Sequence, residues 1–223
     1  MPEEHGIAYR ELRERVSALV RDASPGALDV SSAATPEWRV HDVLAHMVGV
    51  TNDIVNGRME GIASDAWTQA QVDPRGAVSL DELLAEWDEF GPHFEAMLTA
   101  APAEISGQAL FDAGTHEHDI RHALGEPGAR DSDAVAIGYS WSIGVRTRNE
   151  APAICFVTEY ESATAGAGKT IATVEATRFE FFRAFAGRRT VEEIEHYGWE
   201  PDAHPELLLV ASFFAMRTSS LGE

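Results

Sequence analysis

Apolar residues recur every three to four positions through most of the first 150 residues, which predicts a chain built from amphipathic helices. In residues 6–22, Leu12, Val16, Leu19 and Val20 form one such stripe. The segment "TPEW" then offers Thr35 as a cap and Pro36 for a first helical turn. A second helix is expected from there to residue 58, with Val40, Val43, Leu44, Met47 and Val50 on one face. Residues 61–78, rich in Gly, Ser, Asp and Pro, read as a long connection. "SLDE" at 79–82 is a capping box that opens a third helix, with a bend expected near Gly91-Pro92. A fourth helix is expected over 108–124, stopped by "GEPG", and a fifth over 131–148.

Beyond residue 150 the texture changes. "AICFVTEYES" (153–162) and "TIATVEAT" (170–177) predict strands joined by the glycine-rich "ATAGAGK". "RFEFFRAFAG" predicts a short helix ending at Gly187. The fold class expected is therefore mainly α: an antiparallel helical bundle over residues 1–150, followed by a small α+β segment over 151–223.

Composition narrows the chemistry. Acidic residues number 37 against 17 basic ones, a formal charge of −20, which argues against nucleic acid or an anionic membrane as partner. The single cysteine, Cys155, excludes an internal disulfide and a cysteine-based zinc cluster, and it reads as a packed strand side chain. Lys169 is the one lysine among the bases, a bias of the kind a GC-rich bacterial genome produces. The start "MPEEHGIAYR" is acidic where a signal peptide is basic, and the longest apolar run, "LLLVASFFAM" (207–216), is too short to span a bilayer. The expectation is a cytoplasmic protein, monomer or homodimer, with small-molecule partners. "GAGK" at 166–169 lacks P-loop spacing.

The stretch "FDAGTHEHDIRHALG" (111–125) gathers ionisable groups on one predicted helix. At about 100° per residue, Asp112 and Asp119 fall within about 60° of His116 and share its face with Ala109, Ala113, Ile120 and Ala123. Glu117, His118, Arg121 and His122 fall opposite and are expected to form a solvated face. A carboxylate on the apolar face is costly unless it is paired or coordinates a cation. Asp112 and His116 lie one turn apart, close enough to share one metal ion. His46, in "DVLAHMVGV" between Val43 and Val50, is the candidate third ligand from a second helix. Two imidazoles and one carboxylate suit Zn²⁺ or another borderline divalent ion and leave positions open for water or substrate.

"WRVHDVLAHMVGV", the later D-x-x-x-H-x-x-D-I-R-x-A-L-G-x-P and the tail "ATRFEFFRAFAGRRTVEEIEHYGWEPD" together resemble the mycothiol-dependent maleylpyruvate isomerase family, within the DinB-like metal-binding bundles. The resemblance covers nearly the whole chain. It implies a four-helix bundle holding a divalent metal, zinc before others, through His46, Asp112 and His116. The family pattern usually has Glu where Asp112 stands; the shorter side chain implies closer helices, an intervening water or a weaker site. Asp119 matches a family position and is read as an acceptor that orients His116 or caps an internal arginine. Mycothiol, the low-molecular-weight thiol of actinobacteria, is implied as cosubstrate, with the metal favouring its thiolate. A C-terminal arginine, here Arg217, is implied as a clamp on a substrate carboxylate, and Trp38 is a candidate rim residue.

Three functions remain open at this point. One is a metal-dependent, mycothiol-using isomerase or thiol S-transferase acting on a small electrophile. Another is a non-catalytic metal-binding or regulatory module on the same architecture. The last is metal-assisted hydrolysis, for which Asp119 is the one inner-face base in view.

Overall fold

The computed structural model describes residues 2–209 and 215–223, and the chain divides into two compact units, Met1–Gly128 and Ala129–Glu223. In the first unit, α1 (Pro2–Asp22) leads through a short hairpin, β1 (Ser31–Ser32) and β2 (Thr35–Arg39), into α2 (Val40–Val55). A short helix α3 (Asp65–Val72) precedes the long α4 (Leu80–Ala100) and α5 (Ala103–Leu124).

The register of contacts fixes the directions of these helices. Tyr9 packs edge-on against Phe94, Arg13 bonds Glu95 and Asp88, and Arg21 reaches Asp88, so α1 and α4 run antiparallel. His5 bonds Ser106 and Arg15 bonds Glu117, so α1 and α5 run parallel. His41, at the start of α2, meets Val78 just before α4, and Asn52 meets Glu86, so α2 and α4 run in the same direction. The connection 56–79 makes that possible by returning the chain along the bundle, as crossover connections in helical bundles do. Leu12, Val16, Val43, Leu44, Leu83, Trp87, Leu110 and Ile120 fill the core between the four long helices and are fully buried. Trp87 keeps its indole N–H satisfied there by bonding Tyr9 and Thr51.

Two sequence expectations change here. "TPEW" is the strand β2 and not a helix start, because the cap lies later: the Asp42 carboxylate accepts both the backbone N–H and the guanidinium of Arg39, and the helix opens at Val40. The connection 61–78 contains α3, opened by Ser64, whose hydroxyl accepts from the Trp67 N–H. The "SLDE" box caps α4 as expected, and α4 continues unbroken through Pro92. α5 starts at Ala103, earlier than expected, and Gly125 closes it in a left-handed conformation.

The second unit holds α6 (Asp133–Arg148), then β3 (Pro152–Val157), β4 (Ser162–Ala165), β5 (Ala167–Glu175), α7 (Arg178–Phe185), α8 (Val191–Glu195), β6 (Gly198–Glu200) and α9 (Glu206–Leu209). The helix expected to end the bundle, α6, packs instead on α7 and β4, so the first unit closes at residue 128 and not at 150. Of the apolar run 207–216, residues 210–214 lie outside the described residues. The sheet order is β4-β3-β5-β6, with β3 and β5 parallel and the other neighbours antiparallel. Phe156 from the sheet stands edge-to-face against Phe181 of α7, and Tyr139 of α6 stacks on the same ring.

The glycine-rich link between the two expected strands therefore contains a strand of its own. β4 returns along one side of β3, and β5 leaves along the other side with Gly166 alone between them. To make the crossing, Gly166 takes φ +120° and lies against the start of β3. A Cβ there would stand 2.6 Å from the Ala151 carbonyl oxygen and 2.7 Å from Ala153 Cα, both backbone atoms that cannot rotate away. Gly166→Ala is accordingly expected to destabilise the chain by about 2–4 kcal/mol, the sum of backbone strain and overpacking. Thermal melting of the intact protein should show a drop of several degrees, whereas Gly168→Ala, with open space at its Cβ position, should cost less.

Candidate metal centre

His46 sits at mid-length on α2, Asp112 and His116 one turn apart on α5, and the packing of the two helices brings the three side chains together. The candidate ligand atoms all lie within 4.8 Å of one another. Asp112 divides its carboxylate between the two rings: Oδ2 stands 3.8 Å from His46 Nε2 and Oδ1 stands 3.7 Å from His116 Nε2. These separations are too long for hydrogen bonds, yet near the about 3.3 Å that separates neighbouring donors around a tetrahedral zinc-sized ion. The shorter aspartate thus lies between the two imidazoles, within 4 Å of each. Both histidines are buried, while the Asp112 side chain is about one-third open at 38% exposure.

The surroundings prepare the donors. The two imidazole rings meet at 82° with centroids 4.9 Å apart, and Trp38, at the end of β2, tilts over both at 5.3 Å from His46 and 6.4 Å from His116. On the far side of His116, Asp119 is fully buried with Oδ2 3.3 Å from Nδ1. A carboxylate at that nitrogen favours the proton on Nδ1 and leaves the Nε2 lone pair for the cluster. His46 Nδ1 stands 2.8 Å from the side-chain oxygen of Gln71 on α3. Burial depresses the pKa of His46 to about 4; the charge of Asp112 works against that, His116 adds to it, and the Gln71 bond opposes it. His46 is neutral at physiological pH, the form in which imidazole binds metal.

The residue expectations divide clearly. His46, Asp112 and His116 come together, Asp119 stands behind His116, and Trp38 rims the cluster. The outer face of α5 differs from expectation: Glu117 is fully buried where α1 packs on it, and His118 is nearly so. Arg15 holds Glu117 through two bonds of 3.0 and 2.9 Å, and Arg121 Nε adds a third at 3.1 Å. Glu117 is therefore a buried latch between α5 and α1. Arg121 and His122 are partly exposed. Arg217 belongs to the second unit, where its Nε donates to the Ser219 carbonyl and its backbone bridges to Thr190. It lines a groove of about 1050 Å³ together with Arg189, Thr190, Glu193 and Tyr197. Cys155 is half-buried in β3. Sequence reasoning missed Gln71, because residues 61–78 read as loop; the signal that could have found it is Gly49, a glycine inside α2 on the face of His46.

Residues 9–134 match the family described as the mycothiol maleylpyruvate isomerase N-terminal domain. Two solved structures share the fold. One is the mycothiol-dependent maleylpyruvate isomerase, at 16% identity and TM-score 0.51, covering 84% of this chain and 90% of that one. The other is a histidine-to-alanine mutant of the mycothiol-dependent maleylpyruvate isomerase, at 14% identity and TM-score 0.53, covering 84% and 89%. No curated protein matches the sequence. Among the described residues, no helix is long and apolar enough to cross a membrane.

The depressed pKa of His46 makes the metal-free protein acid-sensitive. Between its unfolded value of 6.5 and about 4 the unfolded chain binds the extra proton, so stability is full above that window and falls as pH drops through it. At 1.36 kcal/mol per unit the loss approaches about 3 kcal/mol at the acid end. Melting curves of chelator-treated protein should show it, and His46→Gln should flatten that part of the profile relative to wild type.

Proposed function

Since the chain belongs to the mycothiol maleylpyruvate isomerase N-terminal domain family, we propose that it is a divalent-metal-dependent, mycothiol-using isomerase or thiol S-transferase acting on a small electrophile. The observation that carries the reading is the meeting of His46, Asp112 and His116, three ligand atoms from two helices, with His46 hydrogen-bonded to Gln71 and the Asp119 carboxylate 3.3 Å from His116 Nδ1. The donor set fits zinc or a similar borderline ion: two neutral imidazoles and one carboxylate, at a site open on the Asp112 side. A cation held there supplies positive charge that favours thiolate over thiol near neutral pH.

The chain's own residues carry the rest. His46 and His116 are aimed by Gln71 and Asp119, so the donors need little rearrangement. Asp112 lowers the net charge of the site by one and leaves the approach on its exposed side to the thiol. Trp38 covers both rings and keeps water from that side of the cluster. In an isomerisation, the thiolate sulfur adds to one carbon of an activated double bond and the electron pair moves to the activating carbonyl. Rotation about the resulting single bond follows, and expulsion of the thiolate restores the alkene. In a transfer the carbon–sulfur bond stays and the carbanion takes a proton. Maleylpyruvate is one member of this electrophile class. Arg217 is retained in the proposal as the cation for a substrate carboxylate.

Metal content per chain, measured by inductively coupled plasma mass spectrometry, should be about one zinc-like ion in wild type and near zero in His46→Ala. With zinc restored, conversion of maleylpyruvate should require mycothiol, and Arg217→Met should raise KM more than it lowers kcat. Stoichiometric metal without thiol-dependent conversion of any electrophile would replace the enzyme with a metal-binding module. Absence of metal after reloading would remove both readings.

A further inference from the structure

His46, Gly49 and Asp53 stand at i, i+3 and i+7 on α2 and so share one face of that helix. Gln71 of α3, fully buried, lies across that face. Its side chain spans from His46 Nδ1, 2.8 Å away, to Asp53 Oδ2, 3.2 Å away. Arg58 holds the other oxygen of Asp53, donating through Nε at 2.8 Å. Gly49 makes the approach possible: a Cβ at that position would stand 2.5 Å from Gln71 Cβ. The main chain of α3 is fastened at the same place, since Arg75 donates to the Gln71 carbonyl at 2.8 Å and pairs with Glu86.

The donor and acceptor count along this row has one solution. The Asp53 carboxylate, paired with Arg58, only accepts. Gln71 must therefore turn its NH₂ toward Asp53, which leaves its carbonyl oxygen facing His46. A carbonyl oxygen also only accepts, so the neutral His46 ring carries its proton on Nδ1. The competing pull comes from Asp112 at Nε2, but 3.8 Å is beyond hydrogen-bond reach, and the 2.8 Å contact wins. We propose that Asp53 and Gln71 form a relay that sets the tautomer of His46, keeping the Nε2 lone pair directed at Asp112 and His116. Gln71 and Asp53 are positioning residues, and their bearing on activity rests on the metal reading above. The tautomer itself does not.

The relay has a sharp test in Asp53→Asn. Arg58 donates to the oxygen at the Oδ1 position, so the new amide keeps its oxygen there and presents NH₂ to Gln71. Gln71 must then turn its carbonyl toward residue 53 and its NH₂ toward His46, and His46 must accept at Nδ1 and carry its proton on Nε2. An isosteric change two turns from the ligand thus inverts the ring and points a proton into the cluster.

The measurement is the long-range ¹H–¹⁵N correlation spectrum of the metal-free, ¹⁵N-histidine-labelled protein at neutral pH, with His46 assigned by its loss in His46→Gln. Zinc titration of the same samples accompanies it. Wild type should show a protonated Nδ1 and a bare Nε2, and Asp53→Asn should exchange them and weaken zinc binding by about 10–100-fold. Gln71→Met, which keeps volume and removes the acceptor, should give mixed tautomers and a similar loss, and it carries the test if Asp53→Asn fails to fold. A proton on Nε2 in wild type overturns the relay, as does a tautomer unmoved in a folded variant. If the tautomer exchanges while even wild type binds no zinc, the relay stands and the metal reading falls. If zinc binds wild type and variants alike with the tautomer unmoved, the reverse holds.

Discussion

A polar atom buried in a helical bundle must be answered by a partner or by a bound ion, because an unpaired one costs several kcal/mol. Most of the first unit follows from how α5 meets that constraint. Between Asp112 and Asp119 it carries five ionisable side chains, of which Glu117 and Asp119 are fully buried. On one side Glu117 is answered by Arg15 and Arg121, which binds α5 to α1. On the other side Asp119 stands against His116, and Asp112 stands between His116 and His46. The two sides are solved by different chemistry: the outer by guanidinium pairs on Glu117, the inner by a cluster of two imidazoles and two carboxylates.

α2 meets the same constraint more economically. His46, itself buried, is served by Gln71, and Gln71 is served by Asp53, which Arg58 closes at the surface. Each member of that row passes its unsatisfied atom outward until solvent is reached. Helices, not loops, carry all three candidate ligands, and β2 holds Trp38 immediately before α2 begins, so the cluster rests on the stiffest parts of the unit.

Much of this was legible along the chain. The apolar stripes, the "SLDE" box and the stop after Leu124 are local signals, and the inner face of α5 follows from helical geometry alone. What was not legible depends on residues far apart. Glu117 looks solvent-facing until Arg15, a hundred positions away, supplies its partner. The start of α2 was misplaced because Arg39 and Asp42 perform a capping role that Ser or Thr usually signals. α6 reads as a continuation of the bundle because its periodicity says only that it is a helix, and its partner, α7, comes later in the chain.

The buried grip on Glu117 has a consequence for how such a site is set. α5 is a rod, and a turn about its axis moves its two faces together in opposite senses. The Arg15–Glu117 pair on one face therefore shares a single rod with His116 and Asp112 on the other, and the rotational setting of α5 in which Glu117 meets Arg15 is the one that presents His116 and Asp112 to His46. The orientation of the cluster is thus anchored at positions that do not belong to it.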